Sequence, residues 1–205
     1  LNFINNRILS WYTTDSYFDY QDCIFVGADY TQSKDNDSVA FIGNTIIGGL
    51  IGLHLEGSAN GSDFTTGWLI EDNIFSDQGR GAMKVSSGMN TRIRNNVIET
   101  LRLQAGWNGI DVGVSHDTLI VDNNRIRING AGSGIALTHL LQSGAAFKQV
   151  SNNMITFGPG YTAGTPVAIR TQNTCPTLIA HNSVNMYGSY PVSYTHLRAH
   201  ETPAN

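Results

Sequence analysis

The chain repeats one arrangement of apolar residues around an asparagine seven times. An apolar residue lies three positions before the asparagine and another lies two positions after it, as in Val121, Asn124 and Ile126. The asparagines are Asn6, Asn44, Asn73, Asn96, Asn124, Asn153 and Asn182, so the steps between them are 38, 29, 23, 28, 29 and 29 residues. Self-similarity at such a period is typical of stacked repeat architectures.

Each repeat also contains a short run in which apolar residues alternate with other residues. These runs are Leu53–Leu55, Met83–Val85, Ile110–Val112, Ile135–Leu137 and Val167–Ile169, with Ile24–Val26 as an N-terminal version. A period of two residues predicts strands rather than helices. Three short strands per repeat, separated by sharp corners, predict a coil of parallel strands in which each coil covers the apolar face of the next.

We call the seven repeated asparagines the corner asparagines. Asparagine tolerates the left-handed backbone conformation better than other non-glycine residues, so we expect it to adopt that conformation at each corner. Its amide can also bond to the equivalent asparagine one coil away, as in the asparagine ladders of cross-β structures. The sequence therefore predicts a hydrogen-bonded ladder along the stack.

The corner asparagines, together with strands such as Gly109-Ile110-Asp111-Val112, resemble the right-handed parallel β-helix of the pectin-lyase-like superfamily. The resemblance covers roughly residues 3–187. It implies an all-β solenoid of about seven coils. Because a repeat is already under way at Leu1, we expect a fragment truncated at both ends.

Two segments depart from the repeat. Residues 1–191 are predicted to form one β-helix domain with an insertion at about 10–38, rich in aromatic and acidic residues. That insertion either covers the tube or forms a wall that stacks on sugar rings. Residues 192–205 break the repeat and look like a translated sequencing adapter, so we do not count His196, His200 and Glu201 as a metal site.

Composition narrows the possible partners. The 205 residues are 40% hydrophobic and 14% charged, with a formal net charge of −4. Such a chain lacks the basic patch typical of nucleic-acid binding, and no apolar run is long enough for a membrane span. Cys23 and Cys175 belong to the first and sixth coils, too far apart for a disulfide. No feature of the sequence specifies the oligomeric state.

The candidate catalytic and binding residues lie between the apolar positions of these strands. Those intervening residues point outward, because side chains alternate across a strand. The first outward column contains Phe25, His54, Lys84, Asp111, Ala136 and Ala168, and the second contains Glu56, Ser86, Gly113, Thr138 and Arg170. Neighbours in a column are about 4.8 Å apart. His54, Lys84 and Asp111 are therefore expected to converge on one ligand, with Glu56 at its edge. Alternatively, Lys84 pairs with Asp111 in a surface ladder without chemistry.

The resemblance implies roles for these residues. Lyases of the superfamily remove a proton beside a uronate carboxylate, while Ca²⁺ or another cation neutralises that carboxylate. By this resemblance Lys84 is the candidate base, His54 its helper or acid, and Asp111 and Glu56 are candidate Ca²⁺ ligands or orienting groups. The candidate substrate-binding residues are Glu56, Trp107, Thr138 and Arg170. Trp107 is equally well interpreted as folded onto the coil. No metal site is assigned, because two carboxylates fall short of the six or more oxygens that Ca²⁺ takes.

We therefore expect a secreted or cell-surface protein that binds or cleaves polysaccharide, as a lyase or a hydrolase. The alternative is a non-catalytic structural or adhesive rod within a larger surface protein. The chain carries neither the Asp-Asp and Gly-His-Gly motifs of the polygalacturonase-like hydrolases nor the Trp-x-Asp-His run of the pectate lyases. Whether the protein is an enzyme is left open at this point.

Overall fold

The computed structural model describes residues 1–10, 22–27, 37–57, 65–101, 106–140, 147–159 and 165–187. Most of the predicted insertion and the whole of the predicted adapter tail lie outside these residues. Within them every regular element is a β-strand. The strands are β1 Asn2–Ile4, β2 Arg7–Ser10, β3 Ile24–Gly27, β4 Ala40–Ile42, β5 Thr45–Gly48, β6 Ile51–Glu56, β7 Thr65–Thr66, β8 Leu69–Glu71, β9 Ile74–Ser76, β10 Gly81–Arg94, β11 Val97–Thr100, β12 Trp107–Asp122, β13 Arg125–Ile128, β14 Gly132–Thr138, β15 Lys148–Ser151, β16 Met154–Phe157, β17 Val167–Gln172, β18 Leu178–Ala180 and β19 Ser183–Met186.

All strand pairings are parallel, and the chain winds as a β-helix with three faces. The first face contains β1, β4 and β8, the ends of β10 and β12, then β15 and β18. The second face is a seven-stranded sheet in the order β2, β5, β9, β11, β13, β16, β19. The third face contains β3, β6, the starts of β10 and β12, β14 and β17. The predicted parallel β-helix is confirmed.

The apolar positions of the repeat form the core. Phe41, Ile70, Ile93, Val121 and Val150 are register partners in successive coils of the first face, and each is 0% exposed. The positions two residues after the corner asparagines pair in the same way on the second face. Because one coil alone cannot bury these side chains, the tube is stable only as a stack.

Glycine before a third-face strand allows the backbones of successive coils to approach closely. A Cβ on Gly109 would lie 2.5 Å from the carbonyl oxygen of Gly134 and 2.9 Å from Cγ2 of Ile126. Only glycine fits there, because backbone and a buried side chain both occupy that space. The same close approach to the next coil explains Gly52 and Gly134, which hold this position in two other coils.

The corner asparagines form the predicted ladder. The N–H and Nδ2 groups of each corner asparagine donate to Oδ1 of the next, as when Asn44 donates to Asn73 at 2.9 Å by both groups. The contact is repeated from Asn6 to Asn182. Five of the seven corner asparagines are 0–1% exposed. The ladder therefore satisfies polar groups that burial would otherwise leave unpaired.

One prediction about the corners is wrong. The left-handed backbone belongs to the residue before each corner asparagine, such as Asn95 with a φ of 60° and Asn123 with a φ of 53°. The chain turns from one face to the next at that residue, and the turn directs the following asparagine side chain into the stack. The corner asparagine is thus selected for its amide and not for its backbone.

Candidate functional site

The third face carries a pocket of about 450 Å³. It is lined by Asp22, Leu50, Ile51, His54, Arg80, Gly81, Met83, Lys84, Gly106, Asn108 and Asp111. The predicted trio of His54, Lys84 and Asp111 therefore does meet at one concave site. Parallel pairing aligns the three residues, because Lys84 is the register partner of His54 on one side and of Asp111 on the other.

His54 is held by a carboxylate that the sequence did not identify as part of the site. Its Nδ1 lies 2.7 Å from Oδ2 of Asp22, whose side chain is 6% exposed. A carboxylate only accepts hydrogen bonds, so Nδ1 is the nitrogen that donates in this contact and Nε2 is the nitrogen that faces away from Asp22. That contact therefore fixes both the tautomer and the orientation of the ring.

The other nitrogen of His54 has no hydrogen-bond partner in the described structure. Nε2 is buried, and the nearest acid, Glu56, lies 3.7 Å away through Oε2. That distance is too long for a hydrogen bond. The Phe25 ring packs edge-on against the imidazole with ring centroids 5.0 Å apart. Although His54 points to the outer side of the sheet, it is only 9% exposed because these neighbours cover it.

Lys84 and Asp111 do not form the alternative surface ladder. Within the described residues no ion pair joins them, and Oδ2 of Asp111 instead accepts a hydrogen bond from Nδ2 of Asn108 at 3.0 Å. Lys84 is half-buried at the pocket wall. Exposed Arg80 adds a second cation to the lining, so the pocket combines two cations, two carboxylates and an oriented histidine.

The remaining predicted substrate-binding residues lie elsewhere. Trp107 is 1% exposed, and its Nε1 donates to the Gln78 carbonyl oxygen at 3.1 Å, so its ring is part of the core. Thr138 does not line the pocket. Arg170 is the register partner of Ala136 and not the neighbour of Thr138, because the sixth coil is shifted by two residues from the predicted alignment. A shift of two keeps every side chain on the same side of the sheet.

The described residues contain neither a cluster of metal-ligating side chains nor a membrane-spanning helix. No group of three or more His, Cys, Asp or Glu side chains there is arranged to hold a metal ion. No helix in that part is long and apolar enough to cross a membrane. Cys23 and Cys175 are free cysteines, and burial raises the pKa of the Cys23 thiol.

A buried lysine lies outside the pocket. Lys148, at the start of β15, is 2% exposed, and its Nζ donates to the Ser115 carbonyl oxygen at 3.3 Å. Burial lowers the pKa of Lys148, while Cys175 and Asp117 act in the opposite direction. Burial, followed by the charge of Lys148, lowers the pKa of His116. This part of the core therefore disfavours positive charge.

We expect Lys148→Met to raise the melting temperature at neutral pH by roughly 2–4 °C, the shift that about 1 kcal/mol produces in a chain of this size. The folded pKa of Lys148 lies below its unfolded value of about 10.4, so the cost of burying the charge is full below the folded pKa and disappears as pH rises towards the unfolded value. The advantage of the variant should shrink over that interval in thermal denaturation at several pH values. Lys84→Met, the same change at a half-buried outward position, should leave the melting temperature unchanged. A lower melting temperature for Lys148→Met would show that the interior stabilises the ammonium group.

Comparison with known proteins gives no match to this chain. No protein-family model, no curated protein and no solved structure is similar to it. A functional assignment therefore depends on the geometry of the pocket.

Proposed function

We propose that the pocket on the third face binds and cleaves an acidic polysaccharide. The observation that supports this best is the 2.7 Å contact between His54 and Asp22 at the wall of a pocket that also presents Lys84. A histidine held by a carboxylate, with its second nitrogen unpartnered, is suited to proton transfer. Two cations beside it are suited to a substrate carboxylate.

The reaction we propose is β-elimination. His54 Nε2 takes the proton from the carbon beside the uronate carboxylate, and the electron pair of that bond forms the new double bond as the glycosidic carbon–oxygen bond breaks. The leaving oxygen takes a proton from solvent or from a pocket acid. Lys84 and Arg80 stabilise the charge that develops on the carboxylate. Because Nε2 is buried, the substrate must displace the exposed Phe25 or Glu56 side chain to reach it.

This proposal assigns the base to His54 and not to Lys84. Both side chains accept a proton only in their neutral forms, but an imidazole is a much weaker base than an alkylamine and reaches that form more readily. When Nδ1–H is bonded to a carboxylate, the lone pair of the neutral imidazole lies on Nε2. Lys84 is less buried than His54 and is suited to contact the substrate directly. None of these steps requires Ca²⁺, and comparing activity with and without Ca²⁺ measures any dependence on the ion.

We further propose that the chain is an extracellular or cell-surface member of the pectin-lyase-like superfamily. The parallel coils and the ladder of corner asparagines support the fold assignment. The pocket on the outer side of the third face supports the polysaccharide assignment. A non-catalytic surface rod is the alternative, since the regular stack continues through all seven repeats irrespective of the pocket.

The test is a depolymerisation screen of the whole chain on uronate and neutral polysaccharides, with and without Ca²⁺. Ultraviolet absorbance reports unsaturated products, and a separate assay reports new reducing ends. We expect unsaturated products from an acidic polymer, lost in Lys84→Ala at an unchanged melting temperature. Arg127→Ala, which removes a cation from the second face, is the matched control and should remain active.

Each other outcome has a defined meaning. Reducing ends without unsaturation would replace the lyase by a hydrolase. Equal activity of Lys84→Ala and wild type would move the reaction away from this pocket. No product from any polymer would reject the enzyme and favour the rod.

A further inference from the structure

The pocket residues lie in two outward columns of the third face, one on each side of a bend in the strands. At Gly109 a Cβ would lie 2.9 Å from Cγ2 of Ile126, and the next residue, Ile110, is 0% exposed, so two consecutive residues face the interior. Asn108 and Asp111, on either side of them, therefore both face outward, and both line the pocket. The bend makes a groove that runs along the stack from coil to coil.

Both columns become inaccessible to solvent in the fifth coil. Ser133 is the register partner of Asn108, and Ala136 is the register partner of Asp111. Ser133 is 4% exposed and Ala136 is 0% exposed, and neither lines the pocket. The fifth coil has a paired strand on each side, so this closure belongs to the interior of the stack. A ligand in the groove therefore contacts the fourth coil but not the fifth.

A polar pair forms the last part of the pocket before this closure. Nδ2 of Asn108 donates to Oδ2 of Asp111 at 3.0 Å, across the groove. Oδ1 of each side chain remains as an acceptor. Hydroxyl groups donate to such acceptors, whereas the charge of Asp111 repels a carboxylate. The closed end is therefore suited to the hydroxyl groups of a terminal sugar unit and unsuited to a further acidic unit.

The proposed base lies at a fixed distance from the closed end. His54, Lys84 and Asp111 occupy successive coils of one column, so the levels of His54 and Asp111 are about 10 Å apart along the stack. Only a short piece of polymer fits between the point of cleavage and the closed end. Lys84 lies between the two, where it can bind the carboxylate of that piece.

We propose that the enzyme acts on chain ends: the pocket admits the terminus of an acidic polysaccharide and releases a short product of uniform length. This inference rests on the proposed function, because it describes how the same pocket holds its substrate. The terminal piece places hydroxyl groups against Asn108 and Asp111, a carboxylate against Lys84, and its linkage to the rest of the chain beside His54. A polymer bound in the middle of its length would have to continue past the buried fifth coil.

The first test measures product sizes during cleavage of the acidic polymer identified in the screen. Chromatography should show one short unsaturated product from the earliest time, while the remaining polymer keeps most of its length and the solution keeps most of its viscosity. At constant mass concentration below KM, halving the average chain length doubles the number of ends, so the initial rate should double.

The other outcomes separate this inference from the proposed function. A ladder of intermediate sizes from the start, or an initial rate that is independent of chain length, would overturn chain-end specificity and leave the lyase in place. No cleavage of any polymer would reject the proposed function and this inference with it.

Two alanine variants in one outward column test where the pocket ends. Asn108→Ala removes one side of the polar pair, so KM should rise by roughly 2–10-fold, the usual effect of one hydrogen bond, with kcat little changed. Ser133→Ala, one coil further along, should change neither constant, because the substrate does not reach it. An unchanged KM in Asn108→Ala, or an equal rise in Ser133→Ala, would overturn the proposal.

Discussion

Asn124→Leu is expected to lower the free energy of unfolding by about 3 kcal/mol or more, because at least two buried groups lose their partners. The Asn124 side chain accepts from the N–H and Nδ2 of Asn96 at 3.0 and 2.9 Å, and it donates to the Ile93 carbonyl at 3.0 Å. Asn124 is 1% exposed, so water does not replace these bonds. In thermal denaturation the loss corresponds to roughly 6–12 °C for a chain of this size.

Asn6→Leu is the matched control for that experiment. Asn6 occupies the same position in the exposed first coil, and its Oδ1 accepts no bond in the described structure. The same replacement there leaves no buried donor without an acceptor, so we expect a much smaller change. Equal losses at the two positions would show that the ladder contributes nothing beyond the local corner.

His54→Ala is expected to reduce turnover by about 10²–10⁴-fold, the usual contribution of a positioned acid or base. The loss should fall on kcat and not on KM, because the proton is transferred in the transition state and substrate binding depends on Lys84 and Arg80. Asp22→Asn should cause a smaller loss in kcat, since an amide oxygen can still accept from Nδ1 but does not stabilise the imidazolium charge. Steady-state kinetics on the polymer identified in the screen would measure both effects.

His181→Ala is the control for His54→Ala. His181 is an exposed histidine at the last corner, remote from the pocket, so its removal should leave both constants unchanged. Circular dichroism would show that each variant keeps its strand content. Full turnover in His54→Ala would mean that another group, with Lys84 the first candidate, takes the proton.

Most of the fold could be predicted from the sequence because it carries two independent repeats, the alternation of apolar residues within strands and the recurrence of the corner asparagines. Alternation identified the strands, and the spacing of the asparagines fixed how the coils align. The partners of Phe41, Ile98 and Val121 in the structure are those that the repeat predicts. The predicted alignment of the sixth coil was wrong because a shift of two residues leaves the two-residue alternation unchanged. Ala168 and Arg170 therefore fit the outward column equally well.

Only those residues of the pocket that occupy a repeated strand position could be predicted from the sequence. His54, Lys84 and Asp111 occupy one outward column, so register alone brings them together. Asp22 and Arg80 precede their strands, outside the alternating runs, and no periodicity marks them. The pairing of Ile24 with Leu53 places Asp22 beside Ile51, but that alignment became informative only with the structure. The burial of His54 was missed for a related reason, because outward direction does not imply exposure when neighbours such as Phe25 cover the ring.

The ladder also determines which changes in the gene the protein tolerates. Each coil contacts the coil before it and the coil after it through the same asparagine and the same apolar columns. Duplication or deletion of DNA encoding one whole repeat therefore joins surfaces that already match, and the length of the tube changes without a new core. An insertion of one or two codons within a strand shifts the asparagine away from its neighbours and breaks the ladder on both sides. Growth of this protein by whole coils is consequently much easier than growth by single residues within its strands.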